Sequence, residues 1–170
     1  MRASQDSGVF FADGSLVRVG SLDIDSLKGA MNRSGRQRIR LCAHRGMEDE
    51  IHEMFIILKK ESYVRPHKHA AKTESLHVLE GRADAVLFDD QGGVVQVIPM
   101  GDYASGLQFY YRMSEPAYHT LLIKTDYLVF KETAGGPFDR ADTSFPEWAP
   151  AEPDSEEGRR YLRGLVERLG

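Results

Sequence analysis

His67 and His69, in the string PHKHAAKTE, stand two residues apart. On an extended strand such residues project from one face, so both imidazoles can address a single ion. Glu74 follows five residues after His69, which leaves room for the strand to end, turn through Ala70 to Thr73 and return a carboxylate to the same point. Two neutral imidazoles and a carboxylate make a facial set that suits Fe(II) and, with further ligands, Zn, Mn, Ni or Cu. The expected cofactor is therefore one divalent transition metal, such as Fe, Zn, Mn or Ni. Open positions on it would admit a substrate or dioxygen, while the ion acts as a Lewis acid or lowers the pKa of a bound water. An HxH pair also occurs on surface strands with no metal role, so its surroundings have to decide.

The same alternation places Arg65 and Tyr63 on the face of the histidine pair, provided Pro66 introduces no bulge. Arg65 could clamp a carboxylate or phosphate beside the metal, or serve a structural ion pair. Tyr63 could donate a proton, or pack in the core with its hydroxyl at the rim. The run LQFYYR offers two faces, Tyr110 with Arg112 or Phe109 with Tyr111. The first suits the pocket better, because a second cation favours an anionic substrate. His77, three residues from Glu74, should point away from it, and His52 and Glu53 face opposite ways. Arg33, Arg36, Arg38, Arg40 and Arg45 form a cluster that is either an anion site or a solvated arm, with Arg36, Arg38 and Arg40 together by alternation.

Strands must hold these residues. From Ile51 onward short β-branched and aromatic runs alternate with turn residues: IHEMFIIL, SYVRPHKH, ESLHVLEG, ADAVLFDD, VVQVIPM, LQFYYR, AYHTLLIK and DYLVF. So many short, evenly spaced strands predict an all-β sandwich or barrel. DDQGG reads as a hairpin turn, and AGGP at Ala134 to Pro137 ends the last strand. Before the strands, Asp23 to Arg33 carries Ile24, Leu27 and Met31 at helical spacing, and Gly35 stops it. After them, residues 146 to 157 are rich in proline and acids and read as an extended strap. A second helix, Gly158 to Leu169, puts Tyr161, Leu162, Leu165, Val166 and Leu169 on one side. The expected organisation is an N-terminal extension with a short helix over 1–35, a β-barrel over 36–145, and a C-terminal strap and helix over 146–170.

Length and charge agree with one domain. The chain has 170 residues, 41% of them hydrophobic and 28% charged, within the range of folded globular proteins. A net charge of −4 argues against a nucleic-acid binder that relies on a globally basic surface. No stretch approaches the roughly 18 apolar residues of a membrane span, and the N-terminal run lacks a leader pattern, so no membrane partner and a cytoplasmic location are expected. Cys42, the single cysteine, has no internal disulfide partner and reads as a small buried hydrophobe rather than a reactive thiol.

HKHAAKTESLHVLEG resembles the first motif of the cupin superfamily, in which HxH is followed by a Glu and then a Gly; His67, His69, Glu74 and Gly81 meet that spacing. A second cupin motif supplies one more histidine from a later strand, and the resemblance assigns that role to His119 in EPAYHTLLI. The rest of the second motif departs from the pattern, with Ser114, Pro116 and Ile123 at its usual Pro, Gly and Asn positions, and Glu61 stands at the opening Gly of the first. From about Arg38 to Pro150, strings such as RLCAH, YVRPHKH, FYYR, GPF and WAP resemble the WbuC-type cupin-fold metalloproteins, which are linked to bacterial O-antigen and polysaccharide biosynthesis. The resemblance implies a cupin double-stranded β-helix, or jelly-roll barrel, with short N-terminal and C-terminal helices. It also implies metal ligands His67, His69, Glu74 and His119.

The expected function follows from site and resemblance together. The chain reads as a metal-binding cupin, an isomerase or epimerase, lyase or oxygenase acting on a small anionic molecule related to a sugar or sugar nucleotide. Tyr63 and Arg65 are its candidate catalytic residues, and Arg65, Tyr110 and Arg112 its candidate substrate-binding residues. The alternative is a non-catalytic ligand-sensing cupin with a bound metal. By analogy with cupins that pair through sheet edges, a homodimer is expected.

Overall fold

The apolar alternation resolves into two facing sheets. A computed structural model describes residues 2–3, 8–151 and 156–169, so residues 152–155 of the expected strap lie outside it. In chain order the elements are β1 Arg2–Ala3, β2 Val9–Phe11, α1 Ser21–Ser34, β3 Arg38–Cys42, β4 Ile51–Lys59, β5 Lys68–His69 and β6 Glu74–Glu80. They continue with β7 Arg82–Phe88, β8 Val94–Gly101, β9 Tyr110–Met113, β10 Tyr118–Ile123, β11 Tyr127–Gly135, β12 Thr143–Ser144 and α2 Glu156–Leu169. The larger sheet runs β1-β2-β3-β4-β11-β6-β9, the smaller β10-β7-β8, and β12 pairs with β5 at the mouth between them. Sequence neighbours β6 and β7 thus lie in different sheets, whereas β4 and β11, nearly seventy residues apart, pair along nine positions. This is a cupin-type jelly-roll barrel.

Three apolar layers build it. Inside the barrel Cys42, Met54, Ile56, Leu58, Leu76, Val78, Leu121, Leu128 and Phe130 form the apolar core, and several of them line the same cavity as the histidines. On the outer face of the larger sheet Ile39, Leu41, Ile57 and Val129 meet Ile24, Leu27 and Met31 of α1. That helix begins where the Gly20 amide donates to the Asp23 carboxylate at 2.9 Å, and it ends at Gly35 in the left-handed conformation, φ 69°. On the outer face of the smaller sheet Val86, Phe88 and Leu122 meet Leu165 of α2. Val166, expected on the same side, is 46% exposed, because the buried stripe of α2 is narrower than the apolar one in the sequence.

Two sequence expectations change. The N-terminal extension is part of the barrel sheet, since β2 pairs in parallel with β3. The run expected as one strand from Ser62 to His69 is extended but joins the sheets only through β5 and a bridge between His67 and His119. Pro66, which lacks an N–H, interrupts it. As the AGGP stop predicts, β11 runs on past Phe130 to Gly135, and it thereby carries Glu132 into the interior.

Candidate metal centre

The bridge between His67 and His119 builds the centre from the backbone outward. The His67 amide donates to the His119 carbonyl at 3.2 Å and the His119 amide to the His67 carbonyl at 3.0 Å, which sets the two side chains next to each other on one face. The fully buried Thr120 hydroxyl donates to the Val64 carbonyl at 2.5 Å and ties the irregular segment to β10. His69 follows on the same face, and the ligating atoms of His67, His69 and His119 lie within 4.8 Å of one another. Glu74, at the start of β6, closes the group from the opposite sheet: its carboxylate lies 3.0 Å from His119 Nε2 and 3.3 Å from His69 Nε2. All four residues assigned by spacing and resemblance therefore meet at one point.

The outer nitrogens are engaged, which aims the inner ones. His67 Nδ1 donates to the Arg65 carbonyl at 2.8 Å and His119 Nδ1 to the Ala117 carbonyl at 3.0 Å. A carbonyl only accepts, so both rings carry a proton on Nδ1; the Nε2 lone pair of neutral His67 is free for an ion, whereas an ion at His119 would displace the proton that its Nε2 shares with Glu74. His69 Nδ1 is hydrogen-bonded with the Thr143 hydroxyl at 3.2 Å. Burial, with the neighbouring His119, lowers the His67 pKa to about 3, so this ring is neutral at physiological pH. Burial also disfavours charge on Glu74 and His119, but their mutual hydrogen bond wins: Glu74 is held below the usual carboxylate range and His119 above the usual imidazole value. Three imidazoles and a carboxylate would suit a borderline transition metal, and the three-histidine group can hold one.

The group opens into a cavity of about 460 Å³. Tyr63 and Arg65 both line it, as alternation predicts. Tyr63, however, donates its hydroxyl to the Pro150 carbonyl at 3.0 Å and packs edge-on against Tyr161 of α2, and burial pushes its pKa up. It ties barrel to strap, the packing arrangement weighed for it in the sequence. Arg65 lies under the strap, its guanidinium 4.6 Å from the centroid of Phe145 and 3.4 Å from the Pro146 carbonyl, with a buried Nε that has no hydrogen-bond partner.

Tyr110 and Arg112 do not reach the cavity. In the β6–β9 register Tyr111 opposes Leu76, an inward residue, so Tyr111 lines the interior and its two neighbours face outward, Tyr110 being 49% exposed. On the outer surface His77 meets the Phe109 ring at a tilt and the Tyr110 ring edge-on. The choice between faces was open because both alternate equally well; only the pairing partner decides it.

Of two further inward groups, Glu132 had no signal in the sequence and Tyr111 was on the face of LQFYYR that was not preferred. Glu132 opposes Met54 on one side and Leu76 on the other, one step diagonally from Glu74, which itself pairs with Ala134. Burial, reinforced by Glu74, raises its pKa. Tyr111 faces the same two carboxylates, and burial keeps its phenol protonated. Of the arginine cluster, Arg38 and Arg40 line the cavity, with the inward positions of β3. His44 and His52 also line it, stacked at 4.1 Å between ring centroids.

Fold and site together define a cupin-fold protein with a candidate metal centre. Residues 20–100 match a sequence family described as a domain of unknown function, DUF6016. No curated protein matches the chain significantly. Among solved structures, protein SO0799 from Shewanella oneidensis is similar with a TM-score of 0.51 at 10% identity, over 62% of this chain and 72% of that one. A Bacillus subtilis oxalate decarboxylase, OxdC, gives 0.46 at 15% identity over 57% of this chain, and CapF, solved with an inhibitor, gives 0.48 at 19% over 59%. The match spans only 24% of the decarboxylase and 29% of CapF.

Proposed function

We propose that this protein is a metal-dependent enzyme acting on a small anionic molecule, of the sugar or sugar-nucleotide kind that its WbuC-type resemblance implies, in bacterial polysaccharide biosynthesis. The observation that carries the reading is the charge of the cavity. The chain as a whole is negative, at −4, yet Arg38, Arg40 and Arg65 line the cavity with no carboxylate inside ion-pairing distance among the described residues. Lys72, by contrast, is neutralised by Asp142 at 3.3 Å. Guanidinium groups left without anions beside a donor set for a cation favour a ligand that brings negative charge.

A divalent metal held by His67, His69, His119 and Glu74 would supply Lewis acidity toward a carbonyl or hydroxyl oxygen. The residues around it do the rest. Arg65 orients the anion at the mouth, where Phe145 and Pro146 fix its guanidinium. Glu132, whose carboxyl holds its proton more tightly than usual, can give or take a proton at its carboxylate oxygen. The strap and α2 cover one side of the entrance through Tyr63 and Pro150 and limit water. Isomerisation, epimerisation and lyase chemistry each need those elements: a polarised oxygen, a held anion and a proton relay.

Thermal-shift screening of the metal-loaded protein with sugar phosphates, sugar nucleotides and small keto acids tests this reading. At least one should raise the melting temperature in proportion to its concentration, and Arg65→Ala should remove most of the shift. Equal stabilisation of the variant would remove Arg65 from the binding role, and no stabilisation by any anion would contradict the substrate class.

A further inference from the structure

We infer that Arg38 and Arg40 form an oxyanion subsite across the cavity from the metal group, so that the ligand carries oxygen donors at one end and a carboxylate or phosphate at the other. The inference rests on the reading of the cavity as a ligand site and extends it to the opposite wall.

The β3–β4–β11–β6 registers place the subsite. Cys42 opposes Met54, Met54 opposes Glu132, and Glu132 opposes Leu76, forming one row across the inner face. The next row toward the mouth holds His52, Ala134 and Glu74. Arg40 starts one row deeper, opposite Ile56, but its Nη1 lies 3.9 Å from Met54 Sδ, so the head of the side chain reaches up to the Met54 row. Successive inward rows are about 6.6 Å apart, two residues of strand rise. The guanidinium of Arg40 is thus about one row from the row of Glu74, a span that a molecule of a few heavy atoms can bridge.

The surroundings of the two arginines lack a partner of the right kind. Besides the sulfur, Arg40 has no hydrogen-bond acceptor among the described residues, and its Nε is buried without one. A buried donor in that state is costly in an empty protein and satisfied by a bound acceptor. Arg38 lies two residues along β3, opposite Leu58 and one row further from the mouth; its side chain is exposed yet lines the same cavity, and no carboxylate stands within ion-pairing distance of it among the described residues. Glu132 is the acid that faces this space, and Arg38 feels its charge without contacting it. Two guanidiniums against one carboxylate leave a net positive wall. Arginine's planar fork fits the paired oxygens of carboxylate and phosphate alike, so the two ligand ends share one chemistry here.

The experiment titrates inorganic phosphate, and separately malonate, into the metal-loaded protein by calorimetry. Saturable binding of one of the two is expected, and Arg38→Gln with Arg40→Gln should weaken it by about tenfold or more, the loss expected for one charged hydrogen-bond pair. Phosphate or malonate preference then identifies the anionic end. Should the double variant not fold, Arg38→Gln alone, which breaks no hydrogen bond in the structure, should still weaken binding several-fold. In the wild type, titration should shift two arginine Nε–Hε resonances. Binding unchanged by the substitutions, or no saturable binding of either anion, overturns the subsite. Metal content is measured on the same samples: full metal with arginine-independent binding sinks the subsite alone, whereas absent metal with arginine-dependent binding sinks the metal reading alone.

Discussion

Glu74 is shared by two imidazoles, and that sharing governs when the centre can take a metal. Its carboxylate is ionised well below neutrality, and His67 is neutral above about pH 3, so neither releases a proton at physiological pH. His119 is different: burial disfavours its charged form, but the hydrogen bond to Glu74 outweighs burial and raises its pKa, so its Nε2 holds a proton more tightly than a free imidazole would. An ion must displace that proton from Nε2. Below the raised pKa, each unit of pH should therefore cost about a factor of ten in affinity, and above it the affinity should level off. Metal competition titrations across roughly pH 5 to 8 should show this slope of about one, and a flat profile over that range would contradict the shared-proton arrangement. The ligand set was legible in the sequence because HxH spacing and strand alternation are local. Tyr111 was not, since two faces of one strand look alike until a partner strand selects one.

At the scale of elements, Gly81 shows what a motif glycine does. It links β6 to β7, the point where the chain leaves one sheet for the other, and it holds φ at 89°. A Cβ there would run into the Tyr127 carbonyl oxygen and the Thr125 hydroxyl. Gly81→Ala should lower unfolding free energy by about 1 to 3 kcal/mol, read as a lower denaturation midpoint at unchanged slope. An unchanged midpoint would mean that the turn has an alternative geometry. Helices α1 and α2 were readable from apolar spacing, to within two residues at their starts. The irregular segment before His67 was not, because its place depends on bonds to Thr120 and His119, more than fifty residues away.

Over the whole molecule, the barrel divides its interior between a packed end and a polar end. Apolar side chains pack the first, histidines and carboxylates gather at the second, and Arg38 and Arg40 of β3 line the cavity between them. The all-β class was visible in the rhythm of runs and turns, whereas the strand order was not: the parallel pairing of β2 with β3 and the nine-position pairing of β4 with β11 are non-local contacts that no window of sequence contains. For the same reason Glu132 and Glu74 could not be foreseen as neighbours. The central claim is that this polar end holds one metal ion. Elemental analysis of protein purified without a metal-affinity tag should find about one equivalent of a transition metal, and none in the His67→Ala, His69→Ala double variant, as expected for a site that loses two of its ligands. Metal retained in that variant, or no metal in the wild type after incubation with Fe, Zn, Mn and Ni, would contradict the account.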